Sequence, residues 1–144
     1  MTSQTRQSIF LVDDDAVFLR LLAAEFLAFP EFRVTTFSTG ELCLQQLHLN
    51  PDFIVLDYHL DGITPDSING IDTLDKIKAI SPGTPVVMLS SQDSIDVAVR
   101  CMHHKAFDYV VKSETAFLRI HKNIKAFFQY EKMEKELNWY MSKM

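Results

Sequence analysis

Four short apolar runs in this chain end on residues that could do chemistry together. Ile9 to Val12 is followed by Asp13 and Asp14, Phe53 to Leu56 by Asp57, Pro85 to Leu89 by Ser90, and Phe107 to Val111 by Lys112. Three carboxylates cannot share a small crevice unless something positive joins them, because like charges raise each other's pKa. Oxygen-only ligands suit a hard cation, and so few of them suit octahedral Mg²⁺ that keeps several of its waters. A hydroxyl and an ammonium converging on the same spot are what a tetrahedral dianion needs. Together these groups describe a carboxylate nucleophile, Asp57, taking a phosphoryl group while a metal ion and Lys112 neutralise the developing charge. Each residue alone has a plainer reading, since an Asp after a strand commonly caps a loop or a helix start.

The elements between these residues read as strands alternating with helices. Each apolar run is too short for a helix and rich in strand formers. Ala16 to Phe29 carries Val17, Phe18, Leu21, Leu22, Phe26 and Phe29 at helical spacing, capped by Asp15 and stopped by Pro30. Phe32 to Phe37 alternates as a second strand. Ser38 with Glu41 forms a capping box for a helix to about His48. Gly70 to Ile80 is a helix closed by Ser81-Pro82-Gly83. Asp93 caps another through about His104, with Ile95, Ala98, Val99 and Met102 expected inward. A last helix starts near Glu114. Five such alternations predict a doubly wound α/β fold with a five-stranded parallel sheet. In such a sheet ligands bind beyond the carboxyl ends of the strands, which is where the five polar residues fall.

Composition narrows the class further. With 144 residues there is room for one domain, burying roughly 70% of its unfolded surface. A net charge of −5 and the lack of a basic run argue against direct nucleic-acid binding. No apolar run approaches the ~18 residues of a membrane span, and the start Met1-Thr-Ser-Gln-Thr-Arg6 does not read as a signal peptide. Cys43 and Cys101 lack metal spacing and read as reduced packing residues of a cytoplasmic protein. The eleven Phe read as core, and His121 as a solvated mid-helix residue.

Leu11-Val-Asp-Asp-Asp15, Ile54-Val-Leu-Asp57, Asn69-Gly70-Ile71, Pro85-Val-Val-Met-Leu-Ser90 and Phe107-Asp-Tyr-Val-Val-Lys112 resemble the receiver domain of bacterial two-component response regulators. The resemblance covers about Ile9 to Ala126 and implies the flavodoxin-like strand order 2-1-3-4-5. It implies Asp57 as phosphoacceptor, Asp14 as a direct Mg²⁺ ligand, Asp13 acting through water, and the backbone carbonyl of His59 as a further ligand. Ser90 would hydrogen-bond the phosphoryl oxygen and Lys112 pair with it. Tyr109 would swing inward as Ser90 moves. His59 and Gln92 would flank the path of attacking water and tune the lifetime of the phosphoryl group. The implied partners are a sensor histidine kinase or phosphotransfer protein, and a downstream protein target or output domain.

Two features depart from that family. The stretch between Asp57 and Gly70 is longer than the family's usual short Met-Pro loop. Ser113 stands where a proline in a cis bond normally follows the lysine, so a trans bond is expected.

Rival readings are weaker on the residues. Phosphatases and mutases with an aspartyl nucleophile carry a second Asp two residues on, where this chain has His59. There is no Gly-rich phosphate loop with Lys-Ser/Thr. A calcium loop starting at Asp57 would find Asp61 and Gly62 in place, but His59 and Ile68 reject it. The expected activity is therefore self-catalysed phosphorylation and dephosphorylation, not turnover of a small substrate. A degenerate receiver, docking proteins without phosphorylation, is the alternative. With no output domain after the receiver-like stretch, the chain reads as a stand-alone regulator or as part of something longer.

The expected organisation is a polar leader (1–8), a receiver domain (9–128) and a helical extension (129–144). In the last helix Phe117, Ile120, Ile124 and Phe127 suit packing on the sheet. The rhythm then slips, and Tyr130, Met133, Leu137, Tyr140 and Met144 take coiled-coil spacing. That stripe is expected to project and to serve a homodimer or a downstream partner.

Overall fold

The structure is a computed structural model that describes residues 6–60 and 68–144. Most of the polar leader and the centre of the long loop, with Asp61 and Gly62, lie outside the described residues. The elements are β1 (Gln7–Val12), α1 (Ala16–Phe26), β2 (Phe32–Phe37), α2 (Gly40–Gln45), β3 (Phe53–Asp57), α3 (Gly70–Ile80), β4 (Val86–Ser90), α4 (Ile95–His103), β5 (Asp108–Val111) and α5 (Ala116–Ser142). A short 3₁₀ turn, Leu47–Leu49, follows α2. The strands form one parallel sheet in the order β2-β1-β3-β4-β5, the order that the resemblance implies.

Alternation along each strand splits the core in two. Phe10, Val12, Ile54, Leu56, Val86 and Met88 pack on one face with Cys43, Leu74, Ile77 and Cys101 from α2, α3 and α4. Ile9, Leu11, Phe53, Val55, Val87 and Leu89 pack on the other with Leu22, Phe26, Phe117, Ile120 and Ile124 from α1 and α5. Because both faces are covered, β3 and β4 are buried along their whole length. Both cysteines are fully buried, as their packing role required.

Several local expectations are corrected. The cap of α2 is Thr39, whose hydroxyl accepts the Leu42 N–H, and not Ser38; the regular helix stops at Gln45 rather than His48. The cap of α4 is Ser94 and not Asp93. α1 ends at Phe26, three residues before Phe29, although Phe29 still packs on the core. α5 begins at Ala116, near Glu114 as expected.

The largest correction is the orientation of α4. Ile95, Val99 and Met102 are exposed, while Val97 packs on the core and Cys101 is buried. Opposite its polar side of Asp96, Arg100 and His103 this helix carries an apolar arc wider than the face that docks, so spacing alone cannot select the inward part; docking on the sheet selects Val97 and Cys101. His121 is likewise not simply solvated: its ring stacks on Phe117 and meets Phe29 at 4.5 Å and Phe32 at 5.7 Å between centroids.

α5 has 27 residues, about 40 Å at ~1.5 Å per residue. Its buried residues are Ala116, Phe117, Ile120 and Ile124, all near its start. Tyr130, Met133, Leu137, Tyr140 and Met144 are exposed.

Candidate functional site

Register brings the chemistry-bearing residues to one edge. β1 and β3 pair with Val12 beside Leu56, so the next residues, Asp13 and Asp57, are neighbours. β3 pairs with β4 so that Asp57 lies beside Leu89, which puts Ser90 one step further out. β4 pairs with β5 so that Ser90 lies beside Val111, and Lys112 follows. The chain leaves β1 toward β2 on one side and reaches β3 on the other, so this edge holds the switch point of the sheet.

Backbone hydrogen bonds fix the strand ends. Asp13 donates to the Phe37 carbonyl at 3.0 Å, Tyr58 to Leu89 at 2.7 Å and Lys112 to Ser90 at 2.8 Å. Asp13 Oδ1 accepts the Asp15 N–H at 2.9 Å, and Asp15 in turn caps α1 through the N–H groups of Val17 and Phe18. Gly70 opens α3 hard against β3: a Cβ there would lie 2.4 Å from the Asp57 carbonyl oxygen and 2.7 Å from Tyr58 Cα. The glycine lets the return of the long loop touch the backbone of the site.

The carboxylates of Asp13, Asp14 and Asp57 come within 4.8 Å of one another. The Lys112 ammonium lies 2.8 Å from Asp13 Oδ2 and 3.4 Å from Asp57 Oδ1. Asp13 and Asp57 are each 2% exposed. Burial first, and the charge of Asp13 second, push the Asp57 carboxyl up to about 8, although Lys112 and the His59 N–H pull it down. Burial opposes the charge on Lys112 too. Hydrogen bonds and charge from Asp13 and Asp57 outweigh it and hold the lysine above its ordinary value.

One ammonium cannot neutralise the cluster. Asp13 Oδ2 is buried and, among the described residues, has the Lys112 contact without a well-directed hydrogen bond. Crowded oxygens with surplus negative charge fit a hard divalent cation such as Mg²⁺. Asp13, Asp14 and Asp57 are the side chains that could hold it.

The other expected site residues are linked through hydrogen bonds at the strand ends. Ser90 is fully buried, and its Oγ accepts the Gln92 N–H at 3.0 Å. Tyr109 is half-buried, and its hydroxyl donates to the Gln92 carbonyl. His59 is exposed, and its N–H donates to Asp57 Oδ1 at 3.3 Å. No described peptide bond is cis, so Lys112–Ser113 is trans as expected. Two contacts escaped sequence reasoning. The Phe18 ring lies 4.9 Å from the Lys112 ammonium, and Arg100 on α4 donates to the Tyr58 hydroxyl at 3.4 Å. Phe18 gave only the signal of a helical apolar stripe, and nothing in the sequence pairs Tyr58 with Arg100.

Comparison with known proteins bears on the family and the fold. The family model for the response regulator receiver domain matches residues 9–125. The chain is 31% identical over 111 residues to the two-component response regulator ORR27 of Oryza sativa subsp. japonica, covering 77% of this chain and 17% of that protein. It is 30% identical over 104 residues to the transcriptional regulatory protein ZraR of Escherichia coli (strain K12), covering 72% and 22%. The regulatory protein LuxO of Vibrio cholerae is 30% identical over 100 residues, with 69% and 21% covered. The chain thus spans about a fifth of the length of these relatives. Among solved structures, the BeF3-activated DrrB receiver domain superposes with a TM-score of 0.73 at 26% identity, covering 87% of this chain and 99% of that one. The response regulator DrrB of Thermotoga maritima gives 0.73 at 27%, covering 88% and 54%. Among the described residues, no helix is long and apolar enough to cross a membrane. Matched along most of its length and in its fold, the chain belongs to the response regulator receiver domain family of two-component signalling.

Proposed function

We propose that Asp57 accepts a phosphoryl group and that its arrival changes a protein-binding surface. The observation that carries this reading is the cluster of Asp13, Asp14 and Asp57 within 4.8 Å, with Lys112 bridging two of its members. In the step proposed, a carboxylate oxygen of Asp57 attacks phosphorus in a phosphohistidine or a small acyl phosphate. The bond from phosphorus to the donor's nitrogen or oxygen breaks, the donor leaves with the electron pair, and an acyl phosphate forms on Asp57. Lys112 offers an ammonium to the transferred oxygens, and Ser90 a hydroxyl at the neighbouring strand end. Asp13, Asp14, Asp57 and the His59 carbonyl would hold a divalent cation, which would supply positive charge to offset that of the incoming group.

The switch runs through residues already in contact with this edge. As Ser90 turns to the phosphoryl group, its bond to the Gln92 N–H is given up, and Tyr109 is released from the Gln92 carbonyl to move inward. His59 and Gln92 flank the group and set the rate of hydrolysis. Replacing both by Ala should change the dephosphorylation rate and leave Mg²⁺ affinity unchanged.

The donor is a sensor histidine kinase or a phosphotransfer protein, and the receiver of the signal is a downstream protein or output domain. Self-catalysed phosphorylation and dephosphorylation are then the only chemistry of the domain, which works in the cytoplasm. The exposed stripe from Tyr130 to Met144 serves as an interface, first with a second copy of this chain. If Tyr130 is given the first heptad position, the seam is Tyr130, Met133, Leu137, Tyr140 and Met144. The side of α5 that faces the core at Ile120 and Ile124 continues outward as Glu131, Lys135 and Asn138. At ~3.6 residues per turn the stripe lies on another side of the helix, so packing on its own domain does not account for it.

Intact-mass analysis tests the central claim. A small phosphodonor with Mg²⁺ should add one phosphoryl group, and Asp57→Asn should abolish the addition. Equal labelling in EDTA, or labelling of the Asn variant, would reject the proposal. A domain that binds its partners without ever being labelled would be a degenerate receiver.

A further inference from the structure

We propose that Phe18 is a positioning residue for Lys112, its ring holding the ammonium over the carboxylates through a cation–π contact. The inference rests on the reading of Asp57 as phosphoacceptor and deepens it.

Lys112 comes from the end of β5 and must reach across β4 to carboxylates on β3 and β1. Its four-carbon stem has many rotamers, so something must select the one that points at the site. The two carboxylates attract the ammonium but also move their charge when a metal or a phosphoryl group arrives. A neutral wall does not. Phe18 is such a wall, with its centroid 4.9 Å from the Lys112 Nζ, inside the ~6 Å within which a ring face attracts a cation. An ammonium carries three N–H groups; two carboxylates take part of its surroundings, and the ring takes another side.

The local sequence explains why Phe18 stands there. Asp15 Oδ1 accepts the N–H groups of Val17 and Phe18, so α1 starts directly behind the acidic triplet and Phe18 falls in its first turn. Its neighbours on the helix, Val17 and Leu21, are exposed, whereas the Phe18 ring is partly buried against the core. Phe18 and Lys112 together line a cavity of about 330 Å³, with Leu21, Glu25, Glu114 and Phe117 among its other walls. Losing the ring would widen this cavity beside the ammonium, admit more water there and weaken its pairing with the acids. The segment after the lysine, Ser113-Glu114-Thr115, supplies no ring, and the hydroxyls of Ser113 and Thr115 pair with each other at 3.1 Å. The Lys112 side chain is 15% exposed, so a contact to the ring is little diluted by solvent.

Fluorinated phenylalanines separate this role from plain packing, because they keep the shape of the ring while draining charge from its face. In the full chain, Phe18 is replaced by mono-, di- and trifluorophenylalanine, and separately by Leu and by Trp. The readout is the rate of Mg²⁺-dependent labelling by a small acyl phosphate. A stepwise fall with each fluorine is expected, with a loss of roughly 2- to 30-fold in Phe18→Leu and a rate near wild type in Phe18→Trp. Rates indifferent to fluorination, with Leu equal to Phe, would overturn the proposal while leaving Asp57 as phosphoacceptor. A second measurement does not depend on labelling. The NMR signal of the Lys112 ε-methylene should be shifted upfield by the ring current and return in Phe18→Leu; an unshifted signal rejects the contact. If wild type is not labelled but the ring shift is present, the phosphoacceptor reading falls and the placement of Lys112 by Phe18 stands.

Discussion

Replacing Asp57 by Asn should stabilise the metal-free domain, and increasingly so as pH rises. Asp57 is 2% exposed and stands against Asp13. Burial and that neighbour push its carboxyl from an ordinary 3.8 up to about 8. The unfolded chain therefore loses this proton near pH 4, while the folded domain keeps it until about pH 8. Between those limits the native state binds more protons, so raising pH favours unfolding. The stabilising contribution is complete below the unfolded pKa and is lost as pH passes the folded one. One pKa unit corresponds to ~1.4 kcal/mol, and a proton retained through most of the range from about pH 5 to about pH 8 makes the expected loss roughly 3 kcal/mol. Asn at position 57 fills the same space and does not titrate. Urea denaturation of both proteins in EDTA, at steps across that range, should show the Asn variant pulling ahead by about that amount. Excess Mg²⁺ should flatten the wild-type slope, because a cation among the acids favours the ionised form. Stability profiles that stay parallel across the range in EDTA would refute the argument that burial and Asp13 crowd Asp57.

Four further outcomes are expected. Gly70→Ala would press a methyl against the Asp57 carbonyl and the Tyr58 backbone, so a loss of roughly 1–3 kcal/mol is expected by chemical denaturation, with slower labelling of Asp57. Gly83→Ala is the control: nothing lies within 4 Å of its Cβ position, so stability should be unchanged or slightly higher. Burial pushes the Cys43 thiol up to about 12 and the Cys101 thiol up to about 11, so a thiol-exchange reagent at neutral pH should modify neither until the protein is unfolded. Light scattering should find the intact chain dimeric and a chain ending at Gln129 monomeric; two monomers at tens of micromolar would exclude self-association through the exposed stripe.

The sequence by itself determined the alternation of strands and helices and the identity of the polar residues at the strand ends. Those features are local. A buried parallel strand must be a short apolar run, and the residue that leaves it must be the one that meets the crevice. Asp13, Asp57, Ser90 and Lys112 were therefore legible before any coordinates. The span of α3 was legible for the same reason, since Asn69 and Ser81-Pro82 bracket its apolar spacing. What the tertiary structure decided was everything that depends on which surface meets which. The apolar arc of α4 is wider than the face that docks, and only docking on the sheet turned Val97 and Cys101 inward and left Ile95, Val99 and Met102 exposed. Neighbouring hydroxyl and carboxyl side chains compete for the same helix start, and the structure uses Thr39 rather than Ser38 and Ser94 rather than Asp93. The ring of Phe18 over Lys112 joins residues far apart in the chain. No spacing encodes that contact, because it arises only when β1 and β5 lie in one sheet and α1 packs on the face that α5 also covers.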